Sequence, residues 1–312
     1  MLQVIGYLMN PHKMRWMSLL LVGLLLFGAG RLYYRLTDDF RLANIQYTLP
    51  FEAPWKTDDL TFEESQALAL IFEQSFFYIG KGSQCYAFAS EDGQYVLKFF
   101  KFKHLKPSLM VDLLPPIPPF RAFKQNCCER KIRKLISLFS GYDLAYRQNR
   151  QQSGLLYLHL TPTHYLHLTA TVVDKIGIKR KIDLDEVIFL VQRKGETLRD
   201  RLRTLLDQGN INEAKQTLAD IMTMYVSEYK KGLFDHDHGV MHNTGFIGPI
   251  PFHLDVGKFK KDERFKQPAI YQQDLKLVVC KINAWIQKSY PQYYLVLSHF
   301  LEQEYQAQIA ET

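Results

Sequence analysis

Gly232-Leu233-Phe234-Asp235-His236-Asp237-His238-Gly239-Val240-Met241-His242-Asn243, followed by Phe252-His253-Leu254-Asp255-Val256-Gly257, is the stretch on which the fold turns. It follows a long helical pattern, Ile211 to Lys231, which carries Ala214, Leu218, Ile221 and Tyr225 on one face and ends at Gly232. Acidic residues come first, then an asparagine, then a short strand leading into an Asp-x-Gly.

Working outward toward the N-terminus, Ile79-Gly80-Lys81-Gly82-Ser83-Gln84-Cys85-Tyr86-Ala87-Phe88 opens a strand-like region. Glycines let a backbone close over phosphates, and its N–H groups can then face the anion. Taken alone, the pattern equally describes a glycine-bearing turn. Val96-Leu97-Lys98 follows in the partner strand, where a lysine in an apolar run points either to solvent or to a phosphate. Lys101, Lys103 and Lys106 nearby are what a solvated edge would carry. The strand-like runs are Phe77 to Ala89 and Gln94 to Phe100, with Glu91-Asp92-Gly93 as the turn.

Together these segments resemble the protein-kinase-like superfamily over roughly Ile71 to the C-terminus. The resemblance implies an α+β, bilobal fold, with an antiparallel sheet and a helix in the N-lobe and a helical C-lobe. It implies Mg²⁺ and ATP as cofactors and transfer of the γ-phosphate to a hydroxyl. Carried over by position, Gly80, Gly82 and Ser83 cover the phosphates and Lys98 pairs with them. Glu129 is the ion-pair partner of Lys98, Asn243 and Asp255 are metal ligands, and Gln192 to Gly195 is the hinge beside adenine. Asp237 or Asp235 positions the acceptor hydroxyl.

Several positions depart from the superfamily pattern. Cys85 replaces the third loop glycine, and Asp237 stands six residues before Asn243 where the pattern has five, with His238 at that place. The metal segment reads Asp-Val-Gly, and no Ala-Pro-Glu follows. The last absence points away from peptide kinases and toward atypical or small-molecule branches. The odd spacing keeps a catalytically inactive pseudokinase scaffold open as an alternative. A metal-dependent hydrolase is the other: Asp235-His236-Asp237-His238 with His242 suits zinc or a di-metal centre. Against it, only His253 and His299 follow as further histidines.

Trp16 to Gly30 is a continuous apolar or small run, flanked by His12, Lys13 and Arg15 before it and Arg31 and Arg35 after it. As a helix it rises roughly 22 Å against a hydrocarbon core of about 30 Å, and continuing through Leu32, Tyr33 and Tyr34 makes it long enough. Trp16 and the tyrosine pair then serve as interfacial anchors. An uncleaved single-pass anchor is the favoured reading, with a cleaved signal peptide or a buried helix as rivals. A body that uses ATP places the C-terminal side in the cytoplasm.

The 312 residues carry a formal charge of +7, with 47% hydrophobic and 23% charged residues. The composition is that of a globular chain with an anionic partner, either a nucleotide, an acidic lipid surface or a nucleic acid. No nucleic-acid motif is present, which makes that partner the weakest of the three. Cys85, Cys127, Cys128 and Cys280 match neither a disulfide framework nor a metal ribbon, which fits a reducing compartment.

The expected organisation is an anchor over 1–35, a linker over 36–58 that carries Pro50 and Pro54, an N-lobe over 59–196 and a C-lobe over 197–312. Within the N-lobe, a helix from Asp59 to Phe76 is capped by Thr61 with Glu64. A proline-rich stretch follows the sheet (Pro107, Pro115, Pro116, Pro118, Pro119). Then come a helix from Phe123 to Phe139, a hairpin over Leu155 to Val173 turning at Pro162-Thr163, and a strand over Val187 to Val191. The C-lobe helices are Leu198–Leu206, Ile211–Lys231, Ile270–Lys288 and Pro291–Gln308.

Overall fold

The computed structural model describes residues 11–46, 54–55, 60–102, 111, 113–115 and 117–310, with side chains from Arg15 onward. Pro50, Asp59, Lys103, Lys106, Pro107 and Pro116 lie outside the described residues, as do the side chains of His12 and Lys13. The architecture is α+β in two parts behind an apolar helix, consistent with the expected bilobal kinase-like fold. The large sheet forms in the first part because apolar residues there alternate or run in short β-branched and aromatic stretches, with the long helices Pro11–Thr37 and Pro118–Gln148 beside it. The second part is mostly helical because the apolar period lengthens to that of one helix face.

The apolar helix α1 spans Pro11–Thr37. Its segment Arg15–Thr37, 23 residues, is long and apolar enough to cross a membrane, a property that signal sequences share, and its apolar run is exposed. It runs straight into the body. Thr37 and Phe40 are fully buried, and Ile45 of the short helix α2 (Leu42–Ile45) is buried with them beneath the sheet. These residues fall in the stretch read as an irregular linker. Phe40 sets its ring edge-on to Tyr86 and Phe88, and this aromatic burial fixes the chain where a linker would float.

Helix α3 (Phe62–Phe72) starts on the anticipated capping box: Thr61 accepts from the Glu64 amide, and the Glu64 carboxylate accepts from the Thr61 amide. It stops at Phe72, and Ser75 to Phe76 already belong to a strand. The strands are β1 (Ser75–Lys81), β2 (Cys85–Ser90), β3 (Tyr95–Phe100), β4 (Leu155–His159), β5 (Thr169–Val173), β6 (Lys179–Asp183) and β7 (Phe189–Arg193). They form one sheet in the order β4-β7-β3-β2-β1-β5-β6. The run from Phe77 to Ala89 is thus two antiparallel strands folded at the glycine turn, with Tyr78 opposite Phe88.

All neighbours in this sheet are antiparallel except β1 and β5, where Phe76 aligns with Val172 in parallel. The hairpin expected over Leu155 to Val173 is not formed. β4 pairs with β7 and β5 with β1 and β6. The connection between them is gathered by Asp185, which accepts from the Thr163 hydroxyl and from the amides of Leu166 and His167.

Helix α4 (Pro118–Gln148) opens with two prolines in its first turn, where no intrahelical N–H is lost, and runs well past Phe139. Only its second half is buried: Leu135, Leu138, Phe139, Tyr142 and Ala145 pack against Phe100 and Leu190 of the sheet and against Leu233, Val256 and Phe259. Each fully buried large side chain of this kind contributes roughly 1.5–3 kcal/mol. α4 therefore ties the sheet to the helical part. One-turn helix α5 (Arg150–Ser153) leads into β4.

The helical part comprises α6 (Leu198–Asp207), α7 (Ile211–Tyr229), α8 (Val240–Asn243), α9 (Pro268–Ser289) and α10 (Tyr294–Ala310) around their own apolar core. Two small sheets sit at its junction with the first part. β8 (Glu196–Thr197), β10 (Thr244–Ile247) and β11 (Ile250–His253) form one; β9 (Leu233–Asp235) and β12 (Phe259–Lys261) form the other. Gly245 is required where β10 meets β8, because a Cβ there would collide with the Glu196 carbonyl.

Candidate active-site cleft

The two small sheets carry the decisive loops to one place. In the β10–β11 hairpin Thr244 aligns with His253, and the Leu254 amide donates to the Asn243 carbonyl at 2.7 Å. Asn243 and Asp255 thus leave the hairpin side by side. In the other ribbon Asp235 aligns with Phe259, which brings the Asp235–Asp237 turn beside the Asp255–Gly257 turn. A cleft of about 320 Å³ opens between these turns and the glycine turn of the sheet. Its walls include Ser83 and Gln84 above, Asp235, Asp237 and Asp255 below, and Leu138 of α4 at the side. Lys134, Lys258 and Lys260 add positive charge at the rim.

Lys98 projects from β3 to the same point. Its Nζ donates to the Leu254 carbonyl at 2.5 Å and lies in the field of Asp255. Burial lowers its pKa, opposed by Asp255 and then Cys85. The Asp255 carboxylate is held by two donors: the Tyr142 hydroxyl at 2.9 Å and the Gly257 amide at 3.0 Å. Burial pushes the Cys85 thiol up to about 12, with Asp255 adding to the rise, so this cysteine stays protonated and serves as packing.

Asp235 and Asp237 differ sharply. Asp235 is buried; its Oδ1 accepts from the Asp237 amide, while Oδ2 has no hydrogen-bond partner among the described residues. Burial raises its pKa, opposed by His253. Asp237 is partly exposed in the cleft and pairs with Lys258 at 3.1 Å. The carboxylates of Asp237 and Asp255 give the cleft oxygen donors, which suit magnesium better than zinc.

Of the residues singled out in sequence, Ser83, Asp235, Asp237 and Asp255 line this cleft, and Lys98 abuts it. Gly80 sits at the bulge of β1, and Gly82 donates its amide to the Cys85 carbonyl. Neither glycine has a positive φ, and an added Cβ would meet nothing at either. Asn243 stands just outside the lining, folded onto Gly239, where a Cβ would come 2.6 Å from its Nδ2. Gln192 to Gly195 does connect the two parts. The Gln192 amide nitrogen donates to the Ser153 and His253 carbonyls, and Gly195 is pressed against Phe246 and Phe252.

Glu129 needs correction. It is exposed on the first half of α4, where it pairs with Arg133 at 3.7 Å and accepts from Gln125. Lys98 takes the Leu254 carbonyl instead, and the α4 residue that reaches Asp255 is Tyr142. The reason is mechanical: α4 docks through its second half, from Leu135 onward, and Tyr142 lies thirteen residues beyond Glu129.

Comparison with protein-family models and with curated proteins gave no match to this chain. Among solved structures, a co-crystal structure of WbdD with the kinase inhibitor LY294002 aligns at a TM-score of 0.36 and 14% identity, over 73% of this chain and 45% of that one. A 2.2 Å crystal structure of WbdD gives 0.35 and 14%, over 75% and 49%. A medium-resolution structure of the bifunctional kinase-methyltransferase WbdD gives 0.32 and 14%, over 73% and 47%. The chain spans less than half the length of these proteins.

Two supports of the cleft carried no sequence signal. His238, at a left-handed φ of 48°, is braced by Asp274 of α9, whose carboxylate meets the ring Nε2 at 2.5 Å and accepts from the Tyr229 hydroxyl at 2.6 Å. Lys281 donates to the His238 carbonyl. Behind the metal segment, the fully buried pair His253 and Glu228 meets at 2.9 Å, with the Asn149 amide donating to Glu228 at 2.6 Å. Burial works to lower the His253 pKa, but Glu228 outweighs it and the net shift is upward. With these partners His238 and His253 are held as supports, while His236 lines the cleft. Among the described residues no group of three or more His, Cys, Asp or Glu could hold a metal.

Proposed function

We propose that this chain is a membrane-tethered, kinase-like protein that binds Mg-ATP in the cleft and transfers the γ-phosphate to a hydroxyl of an acceptor. The observation that carries the reading is the meeting of Lys98 with the Leu254-Asp255 turn, opposite the Ser83-Gln84 turn and beside Asp237. A lysine and an aspartate so far apart in sequence have no reason of core packing to share a cleft with a glycine turn. Pairing phosphate oxygens and a divalent cation supplies one.

In this reading Lys98 pairs with the phosphates, and backbone amides of the Gly80–Gln84 turn cover them. Packing and φ leave Gly80 and Gly82 unconstrained, so close approach of a ligand is the remaining use for glycine there. Asp255 and Asn243 would hold Mg²⁺, which would supply charge neutralisation on the transferring phosphoryl group. Two protein ligands suffice, because magnesium completes its shell with phosphate oxygens and water. Asp237 is the better placed of the two acidic residues to accept a hydroxyl proton, since Asp235 is buried and turned inward. The tether is α1, with the body on the cytoplasmic side.

A second reading, a nucleotide-binding pseudokinase, is favoured by one specific observation: no acidic residue of α4 pairs with Lys98. Single-turnover ATP consumption separates the two. The kinase reading expects phosphate transfer or hydrolysis by the wild type and its loss in Asp255→Asn. Binding without turnover in the wild type assigns the pseudokinase.

A further inference from the structure

The helix α1 enters the body with no slack. Asp38, the residue after α1, accepts from Lys175 at 3.0 Å and from the Tyr78 hydroxyl at 3.0 Å, and it pairs with Lys81 at 3.1 Å. The Asp39 carbonyl accepts from the Tyr86 hydroxyl at 2.7 Å. The helix end is thereby fastened to β1, β2 and the β5–β6 turn. Whatever surface surrounds Asp38 stands at a fixed, short distance from the end of the apolar helix.

That surface is unusual in composition. The β5–β6 turn and the strand after it read Asp174-Lys175-Ile176-Gly177-Ile178-Lys179-Arg180-Lys181, two isoleucines inside a basic run whose one acidic residue, Asp174, is buried and paired with Arg180 at 3.2 Å. Beside it lies β1. Because β1 runs parallel to β5 with Phe77 level with Val173, Ile79 continues alongside this turn. Phe77, Ile79, Ile176 and Ile178 are between 43% and 54% exposed, a cluster of large apolar side chains on the outer face of β1 and its neighbouring turn that the chain leaves uncovered. Apolar side chains flanked by lysines are the chemistry of a segment that lies in a bilayer interface, with the isoleucines in the acyl boundary and the ammonium groups at the phosphates.

The distances agree. The stretch from Trp16 to Tyr34, apolar but for Arg31, rises roughly 28 Å as a helix, close to the hydrocarbon core of about 30 Å. Its end therefore falls within one turn of Thr37, where the chain becomes buried and the body begins. The headgroup layer adds several ångströms beyond the core, since the whole bilayer is about 40–45 Å thick. Lys175 touches Asp38, so Ile176 is one residue from that layer.

We infer that the β5–β6 turn and the adjoining edge of β1 dock on the anionic leaflet from which α1 emerges, forming a second, interfacial membrane contact. The occupant is the lipid surface itself, fixed by the continuity of this patch with α1 and by its positive charge. The contact rests on the reading of α1 as a membrane span. It holds the body in one orientation, with the glycine turn, through Lys81, on the membrane side.

The test uses the full chain, one copy per nanodisc, in phosphatidylcholine with phosphatidylglycerol, with brominated acyl chains as quencher. Ile178→Trp is compared with Leu277→Trp on α9, both in a background carrying Trp55→Phe and Trp285→Phe, in which Trp16 alone reports on α1 and the added tryptophan is read as the difference. The inference expects Trp16 and the tryptophan at 178 to be quenched, the one at 277 to be unaffected, and quenching at 178 to weaken when phosphatidylglycerol is omitted. Hydrogen exchange of residues 174–180 in the unaltered chain, slowed by the anionic lipid, is the measurement free of substitution. Quenching at Trp16 without quenching or exchange protection at 174–180 overturns the docking and leaves the anchor standing. No quenching at Trp16 either overturns both. Protection that appears only with two copies per disc overturns it in favour of self-association.

Discussion

The Lys98 ammonium donates to the carbonyl of Leu254, 156 residues further along the chain, and so stands against Asp255. β3 and the β10–β11 hairpin come from different parts of the molecule. Their meeting therefore depends on the whole fold, while the two residues themselves contribute polarity that no core requires. Lys98→Met keeps the length and apolar stem but removes the charge. We expect it to melt within a few degrees of the wild type and to lower single-turnover phosphate release by about 10²–10³-fold, the usual loss when one charge-stabilising group is removed. Circular dichroism melting and a phosphate-release assay check the two halves.

Gly141 of α4 lies against the Asp255–Gly257 turn. A Cβ there would stand 2.8 Å from the carbonyl oxygens of both Val256 and Gly257. Those are backbone atoms and cannot swing away. Gly141→Ala is expected to destabilise the fold by about 1–3 kcal/mol as α4 is pushed off the turn. It should also loosen the Tyr142–Asp255 bond. Urea denaturation gives the first effect, and a raised KM for Mg-ATP the second.

Asp274 acts through His238. The histidine holds a backbone conformation that costs a non-glycine residue of order 1–3 kcal/mol, and the Asp274 carboxylate and Lys281 are what fix it. Asp274→Ala should let the Asp237 loop relax. The expected outcome is a fall in turnover of about 10²-fold with Mg-ATP affinity nearly unchanged, because displacement of a positioned group by an ångström has that effect on chemistry alone. A loss confined to binding would argue against the loop's role in transfer.

Asp185 sets an acid limit on stability. Burial works to raise its pKa, but the Thr163 hydroxyl and the amides of His167 and Leu166 outweigh burial and hold it below the ordinary carboxylate range. A depressed folded-state pKa contributes stability that is fully present above the unfolded value of about 3.9 and is lost as pH falls through the folded value. Unfolding free energy should therefore decline below about pH 4 in the wild type, and with a smaller slope in Asp185→Asn. At pH 7 the variant should be less stable by about 1–3 kcal/mol. Urea melts across pH test both.

What could be read in the sequence was whatever is local. The capping box at Thr61, the glycine turn at Gly80 to Ser83, the α7 face and the Asp-x-Gly at Asp255 are each set by residues within a few positions of one another. The partner of Lys98 could not be read, because it depends on how α4 docks. Glu129 was the acidic residue on offer, but the apolar residues from Leu135 to Ala145 decide which half of α4 is buried, and they bring Tyr142 to Asp255. The false hairpin at Leu155 to Val173 has the same origin. Its alternation is real, but both strands find better partners elsewhere in the sheet, and Asp185 collects the connection. Phe40 and Ile45 were hidden by polar neighbours, and only the aromatic floor beneath the sheet explains their burial.

The central claim is that Lys98 and Asp255 form a site for Mg-ATP, and ligand-induced stabilisation of the full chain tests it most directly. At a hundred times Kd a ligand that binds only the folded state adds about 2.7 kcal/mol. ATP with Mg²⁺ should raise the melting temperature of the wild type, ATP without Mg²⁺ should do so far less, and Lys98→Met and Asp255→Asn should abolish the shift. A melting temperature indifferent to ATP in all three proteins, with zinc co-purifying at one equivalent, would contradict the account.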